Sequence, residues 1–217
     1  MRDASADAAE MAERRERLLE AGFRLFAGRT IEAVKLTEVA DAARVGIVTL
    51  YRYFKTKPDL VIEIGTKKWR EYYDEVEKAY AAQGGEGMTA AEELEFFLDS
   101  IIELYRSHRD VLRFNRNFDT YVKHEGCTAE QMRPYNESVN AFARKFHTVY
   151  RKAQEDGTLD VGVSEPMLFV NLLYIMLSAA GKYAEGLIYP PEGDHDMSAE
   201  LLMLKRMILD SLSRRPR

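Results

Sequence analysis

The sequence predicts an all-α protein in two parts: an N-terminal three-helix head with a helix-turn-helix, joined by a long fourth helix to a C-terminal domain of five to six helices. Three observations predict it. Apolar residues recur at three- and four-residue intervals through most of the chain. No stretch of useful length alternates apolar with polar residues. Helix-start signals precede the periodic runs: "TKPD" at 56–59, Thr89 with Glu92, and Ser164 with Pro166. A chain of 217 residues that is 46% apolar can fill one large core or two small ones.

Residues 1–12 are small, mixed in charge and aperiodic, the composition of a disordered tail. From Glu13 the period is helical, with Leu18, Gly22 and Leu25 on one stripe and Leu19, Phe23 and Phe26 beside it. "GRTIEAV" interrupts this helix, and "LTEVADAA" forms a short one with Leu36, Val39, Ala40 and Ala43 inward. After "RVG", the run "IVTLYRYF" gives one to two further turns carrying both rings and cations. Helices this short cannot bury their faces singly, so the three should pack around Leu25, Val39, Val45, Leu50 and Phe54 in a domain spanning 13–66.

At Thr56 the fourth helix begins, with Thr56 capping the Asp59 amide, Asp59 reaching back and Pro58 in the first turn. It runs to about Ala81 and stops at "QGGEG". The domain boundary falls inside it, near Lys67 to Tyr72, leaving 67–217 as the second domain. That domain holds "TAAEELEFFLDSIIELYRS", "RDVLRFNRNFDTYVKH", a helix from about Thr128 to Asp156, and two C-terminal helices starting at Ser164 and Ser198, each serine as cap. The total is about nine helices.

The net charge of −5 hides a gradient: residues 11–60 carry +3, and residues 61–217 carry −6. Any contact with a polyanion therefore belongs to the first quarter of the chain. The single cysteine, Cys127, excludes an internal disulfide and suits a reducing compartment. "MRDASADAAE" lacks the apolar core of a secretion signal, and the most apolar run, Pro166 to Gly181, falls short of a membrane span and contains Asn171. The expectation is a cytoplasmic protein without membrane contact. Glycine-rich phosphate loops and hydrolase nucleophile motifs are missing, and His124 with Cys127 makes only two ligands. No catalytic residue, cofactor or metal is expected.

Two readings fit "TLYRYFKTKPDL" at 49–60. In the first, the second helix of a helix-turn-helix enters a DNA major groove: Arg52 offers a donor fork to guanine or phosphate, Thr49 bonds to either, and Ile47 and Val48 press on thymine methyls. Tyr51 and Tyr53 add hydroxyls, and Lys57 sits at a helix start that favours phosphate. In the second, the stretch is an αα-corner with a charged rim.

The block from Arg17 to Leu60, with "LLEAGFRLF", "EVADAA", Val45 and above all "TLYRYFKTKPDL", resembles the DNA-binding domain of the TetR (tetracycline repressor) family of transcriptional regulators. The resemblance implies a homodimer on a palindromic double-stranded operator, usually repressing, released when a small molecule occupies the C-terminal domain. It places Thr49, Tyr51 and Lys57 at backbone phosphates or a neighbouring base edge, Tyr53 at the backbone, and Arg52 and Ile47 at bases. The chain departs from the family at Arg44, Gly46 and Val48, where glycine, serine and glycine are usual, and at Lys35, where a capping hydroxyl is usual. Arg44 and Lys35 thereby become candidate phosphate contacts. A left-handed Arg44 would cost about 1 kcal/mol. Arg14, Arg15 and Arg17 could extend the contact as an arm, but Glu13 and Glu16 are interspersed to pair with them.

The last two helices are apolar around most of their circumference, which suits a four-helix interface about a two-fold axis. Phe169, Leu173, Met176, Leu201, Leu204 and Ile208 are its expected members. The middle helices hold more rings than a core needs. An effector pocket for a largely hydrophobic or aromatic molecule is expected from Phe97, Phe114, Phe118, Tyr121, Phe142, Phe146 and Tyr150, with Asn117, His147 and Asn171 as polar groups. A helical ligand-binding or scaffold protein without operator recognition is the alternative.

Overall fold

The structure, a computed structural model, describes residues 4–186 and 196–213. Among these, nine α-helices follow one another: α1 (Ala4–Gly28), α2 (Leu36–Ala42), α3 (Ile47–Tyr53), α4 (Lys57–Ala82), α5 (Ala90–Ser107), α6 (Arg109–His124), α7 (Ala129–Asp156), α8 (Glu165–Glu185) and α9 (Ser198–Leu212). A 3-10 turn at Gly85–Gly87 precedes α5, and left-handed Gly84 (φ 72°) marks the stop after α4. Among the described residues, extended pairing is limited to one antiparallel bridge between Leu159 and Ser213. α1 begins at Ala4, so most of the expected tail is helical, a correction to the boundary at residue 12.

The chain divides into two compact units. The first holds Met1–Trp69 and Arg113–Ser138, and the second holds Arg70–Leu112 and Val139–Arg217. The division inside α4 falls between Trp69 and Arg70, and residues 113–138 group with the first unit, whereas the sequence reading put them in the second domain. Periodicity shows that α6 has a buried face; it does not show which element that face meets.

In the first unit, α1, α2 and α3 pack on one another. Leu18, Leu19, Phe23, Phe26, Val39, Val45, Leu50 and Phe54 are buried, and Leu25 lies at the margin, half-buried. Gly22 lets α4 approach α1 closely, since a Cβ there would lie 2.7 Å from Ile64 Cδ1. Phe114 of α6 stands 5.6 Å from Phe23 by ring centroid, and Phe118 stacks on Tyr135 at 4.3 Å. Such pairs contribute about 0.5–1.5 kcal/mol beyond their burial. Asn115 Oδ1 accepts from Trp69 Nε1 at 3.1 Å and from the Tyr135 hydroxyl at 2.8 Å, so the polar ends of both rings are satisfied. Both start signals expected for α4 form: the Thr56 amide donates to Asp59 at 2.9 Å, and the Asp59 amide donates to the Thr56 hydroxyl at 3.2 Å.

In the second unit, α5, α8 and α9 pack mutually. The Thr89–Glu92 capping box opens α5 as expected, with the Thr89 amide donating to Glu92 at 2.7 Å. Ser198 is not a cap; it is the first residue of α9, and its hydroxyl donates to Asp196 at 2.8 Å. α8 buries Leu168, Leu172, Met176, Ala180 and Ala184, one residue per turn. With 21 residues it is long and apolar enough to cross a membrane by length and composition, where the sequence reading had it too short; here that stripe is packed inside protein.

Candidate nucleic-acid interface and effector region

The turn between α2 and α3 is a Schellman ending of α2. The Val45 amide donates to the Ala40 carbonyl at 2.9 Å and the Arg44 amide donates to Asp41 at 3.0 Å. This closure requires a left-handed residue, and Arg44 supplies it with φ 54°. Gly46 does not relieve the turn, because it is extended (φ −64°, ψ 142°) and serves as the N-cap of α3. At the other end of α2, Lys35 has no side-chain acceptor for a cap, but its amide donates to Glu38 Oε1 at 2.8 Å. Glu38 also pairs with Arg29 at 2.6 Å. The Lys35 backbone bond and the Arg29 guanidinium together hold the Glu38 carboxyl below its ordinary range.

These supports fix α3, whose Leu50 faces the core while Val48, Tyr51 and Arg52 are exposed and Ile47, Thr49 and Tyr53 half-exposed. Arg44, Arg52 and Lys55 are exposed and form no ion pair among the described residues. These three cations lie on α3 or directly beside its two ends. Val48, which the sequence reading set against thymine methyls, and Lys55, which it left out of the site, both belong to this surface.

Other expected contacts are already engaged inside the unit. Lys57 Nζ donates to the carbonyls of Ile31 and Glu32 and lies 5.6 Å from the Tyr121 ring centroid. Burial pushes its ammonium below the ordinary lysine value, against the pull of Glu32, Glu125 and Glu38. As a free phosphate ligand Lys57 is therefore corrected: it ties the start of α4 to the α1–α2 connection. The Tyr53 hydroxyl donates to the Met11 carbonyl at 3.1 Å. In the N-terminal arm Arg14 pairs with Glu10 and Arg15 with Glu63, rather than with Glu13 or Glu16, and Arg17 is exposed.

The ten residues expected to form an effector pocket fall in different places. Phe114, Asn117, Phe118 and Tyr121 belong to the first unit. Asn117 Nδ2 donates to the carbonyls of Phe26 at 3.0 Å and Arg29 at 3.2 Å. Phe97, Phe142, Phe146, His147, Tyr150 and Asn171 belong to the second. There Phe97 stacks on Tyr80 at 6.0 Å, Phe142 on Tyr72 at 5.7 Å, and Phe146 lies 5.1 Å from Phe169. Tyr150 donates to the Val163 carbonyl at 2.8 Å. His147 is exposed against Glu165, and Asn171 is exposed.

A cavity of about 1010 Å³ opens in the second unit between α4, α5 and α9, and none of those ten residues lines it. Its apolar wall includes Tyr72, Val76, Phe96 and Leu202, and its rim includes Glu75, Glu103, Arg106 and His108. Lys205 of α9, also in the lining, donates to Glu95 and Asp99 of α5 at 2.9 and 2.8 Å. Among the described residues no cluster of His, Cys, Asp and Glu is placed to hold a metal ion.

Three of the six expected interface residues are sealed in the chain's own core: Met176 and Leu201 are 0% exposed and Ile208 is 7% exposed. Phe169, Leu173 and Leu204 are half-buried. The uncovered apolar side chains on these helices are instead Met167, Val170, Tyr174 and Ile175 of α8 and Met203 and Met207 of α9. An apolar helix conceals which of its sides its own domain uses.

Residues 18–64 match the family described as bacterial regulatory proteins, tetR family. No curated protein matches the sequence. Among solved structures, the ketosteroid transcriptional regulator KstR2 of Mycobacterium tuberculosis is similar across 93% of this chain and 96% of its own, with 16% identity and a TM-score of 0.65. The fatty acid degradation regulator FadR from Bacillus halodurans covers 90% of this chain and 94% of its own at 15% identity, TM-score 0.69. The regulator FadR from Bacillus subtilis, solved in complex with stearoyl-CoA, covers 89% and 97% at 15% identity, TM-score 0.68. At such identities the likeness is one of fold, and it extends across both units.

Proposed function

We propose that this member of the tetR family of bacterial regulatory proteins, a DNA-binding transcriptional regulator, acts as a cytoplasmic homodimeric repressor of a palindromic operator and leaves it when a small molecule binds. The observation that carries the reading is the outward face of α3, where Tyr51 and Arg52 are exposed and the neighbouring Arg44 and Lys55 have no ion-pair partner among the described residues. Cations without internal partners beside a helix of groove-entering size suit a phosphate backbone. In this reading Lys35, Arg44, Thr49, Tyr51 and Tyr53 hold phosphates, Arg52 and Ile47 meet base edges, and Lys57 positions the head.

For the dimer, the exposed apolar residues of α8 and α9 supply a self-complementary patch, with Tyr174 at 67% and Met203 at 60% exposure as its most open members. A two-fold axis there would present two copies of α3 to half-sites about one helical turn apart. For the effector, a largely hydrophobic or aromatic molecule is favoured by the ring-rich second unit and by neighbours named for ketosteroid and fatty acid regulation. Phe97, Phe142, Phe146 and Tyr150 are its candidate contacts.

The test is selection of bound duplexes from a random pool at defined salt, followed by titration of the selected sequence. A palindromic consensus is expected, with affinity that falls steeply as salt rises and a loss on Arg52→Ala that exceeds the loss on unrelated DNA. Binding without a consensus or salt dependence would leave a helical ligand-binding or scaffold protein. A compound screen for release from the selected duplex then identifies the effector.

A further inference from the structure

We infer that Val48 reads thymine, its isopropyl group seated against the C5-methyl of one thymine in each operator half-site. The inference rests on the DNA-binding reading above and deepens it, choosing Val48 over the less exposed Ile47 for the methyl contact. Val48 is 75% exposed, the most exposed large hydrophobic side chain among the described residues. Exposure alone would mean little, because single surface hydrophobics are common. Its position gives it meaning. Val48 is the second residue of α3, and Tyr51 and Arg52 follow at i+3 and i+4 on the same outward face, while Leu50 and Phe54 are turned into the core.

Nothing within the head explains a valine there. A β-branched residue loses side-chain freedom in a helix and is a poorer helix former than alanine or leucine, and at this exposure it gains no burial in return. Burial would come from a partner. The face already holds the guanidinium of Arg52 and the hydroxyl of Tyr51, so that partner is polar and anionic overall yet offers an apolar spot between its polar groups. A duplex major groove is such a surface. Valine has no donor or acceptor, so it has nothing to offer a phosphate, guanine O6 and N7, adenine N6 or cytosine N4; the apolar feature on the groove edge is the thymine methyl. Four residues of helix span about 6 Å, close to two base steps at about 3.4 Å each. The thymine read by Val48 therefore falls within about two base pairs of the base read by Arg52.

The test uses the full-length protein and the duplex obtained by selection. Each thymine is replaced in turn by deoxyuridine, symmetrically in both half-sites, which removes the methyl and keeps the base pair. Wild type should lose about fourfold in affinity per half-site at one position, the effect of one buried methyl. In Val48→Ala that thymine–uracil difference should shrink below twofold, with the salt slope unchanged, whereas Val48→Ile should keep it. The inference is overturned if wild type binds uracil and thymine duplexes equally at every position. It is equally overturned if Val48→Ala discriminates as wild type does, which would assign the methyl contact to another residue such as Ile47. Absence of any salt-dependent duplex binding in wild type would sink the DNA-binding reading itself, and this inference with it.

Discussion

Asn117 donates from its side-chain amide to the backbone carbonyl of Phe26 at 3.0 Å, placing a residue from the middle of the chain over the C-terminal carbonyls of the first helix. The same nitrogen reaches the Arg29 carbonyl at 3.2 Å. Helix ends leave carbonyls without intrahelical partners, and Asn117 satisfies them from outside. Asn117→Ala is expected to cost about 1–3 kcal/mol, because it strands part-buried acceptors. Asn117→Asp should fare no better, since an ionised carboxylate cannot donate. Urea denaturation of each variant measures both.

Arg44 holds a left-handed backbone that glycine would adopt without steric cost. Arg44→Gly should raise stability by about 1 kcal/mol and weaken binding to the selected duplex. Paired thermal melts and titrations check the two signs. A variant that gained stability at undiminished affinity would remove Arg44 from the phosphate contacts.

Lys57 and Arg52 should separate cleanly. Lys57→Met deletes the donor to Ile31 and Glu32 and should destabilise the head by about 1–3 kcal/mol, with little change in the salt slope of duplex binding. Arg52→Ala should leave stability within about 0.5 kcal/mol of wild type, and its exposed charge should reduce either base discrimination or the salt slope. Denaturation and salt titrations on both variants decide the assignment.

Glu20 predicts an acid-side effect. Burial alone would raise its carboxyl, but hydrogen bonds from Lys67 and Lys68, each at 2.8 Å, outweigh burial and bring it below the ordinary 4.5. A carboxyl depressed in the folded state stabilises at pH above its unfolded value, and that contribution disappears as pH falls through the folded value. Wild type should therefore lose stability below about pH 4.5 more steeply than Glu20→Gln. Denaturation midpoints between pH 3 and 7 (roughly the range where a carboxyl changes charge) give the comparison.

Tyr174→Glu combined with Met203→Glu places charge on the uncovered face of α8 and α9 and should convert the proposed dimer to monomer in sedimentation, while the helical spectrum stays intact. Leu201→Ala is the contrast. It empties a fully buried site and should cost about 2–5 kcal/mol of stability.

What the sequence made legible was local. The bounds of α6, the Thr56–Asp59 and Thr89–Glu92 caps, and the length of α7 are set by neighbours within a few residues, and each agrees with the structure. The misreadings needed information from far along the chain. Lys57 looks like a phosphate ligand until Ile31 and Glu32 come within reach of its amine, and Phe118 looks like a pocket wall until Tyr135 stacks on it. Met176 and Leu204 look equally fit for an interface, and only the packing of α5, α8 and α9 shows that Met176 is spent inside.

The first unit is built from two stretches of chain that are not consecutive, Met1–Trp69 and Arg113–Ser138. A fragment truncated after the fourth helix begins would leave Phe23 without Phe114 and the end of α1 without Asn117. The first unit of this protein is thus not a cassette to be excised and grafted onto another domain. A transplant has to carry both pieces, spliced by a linker short enough to restore their pairing.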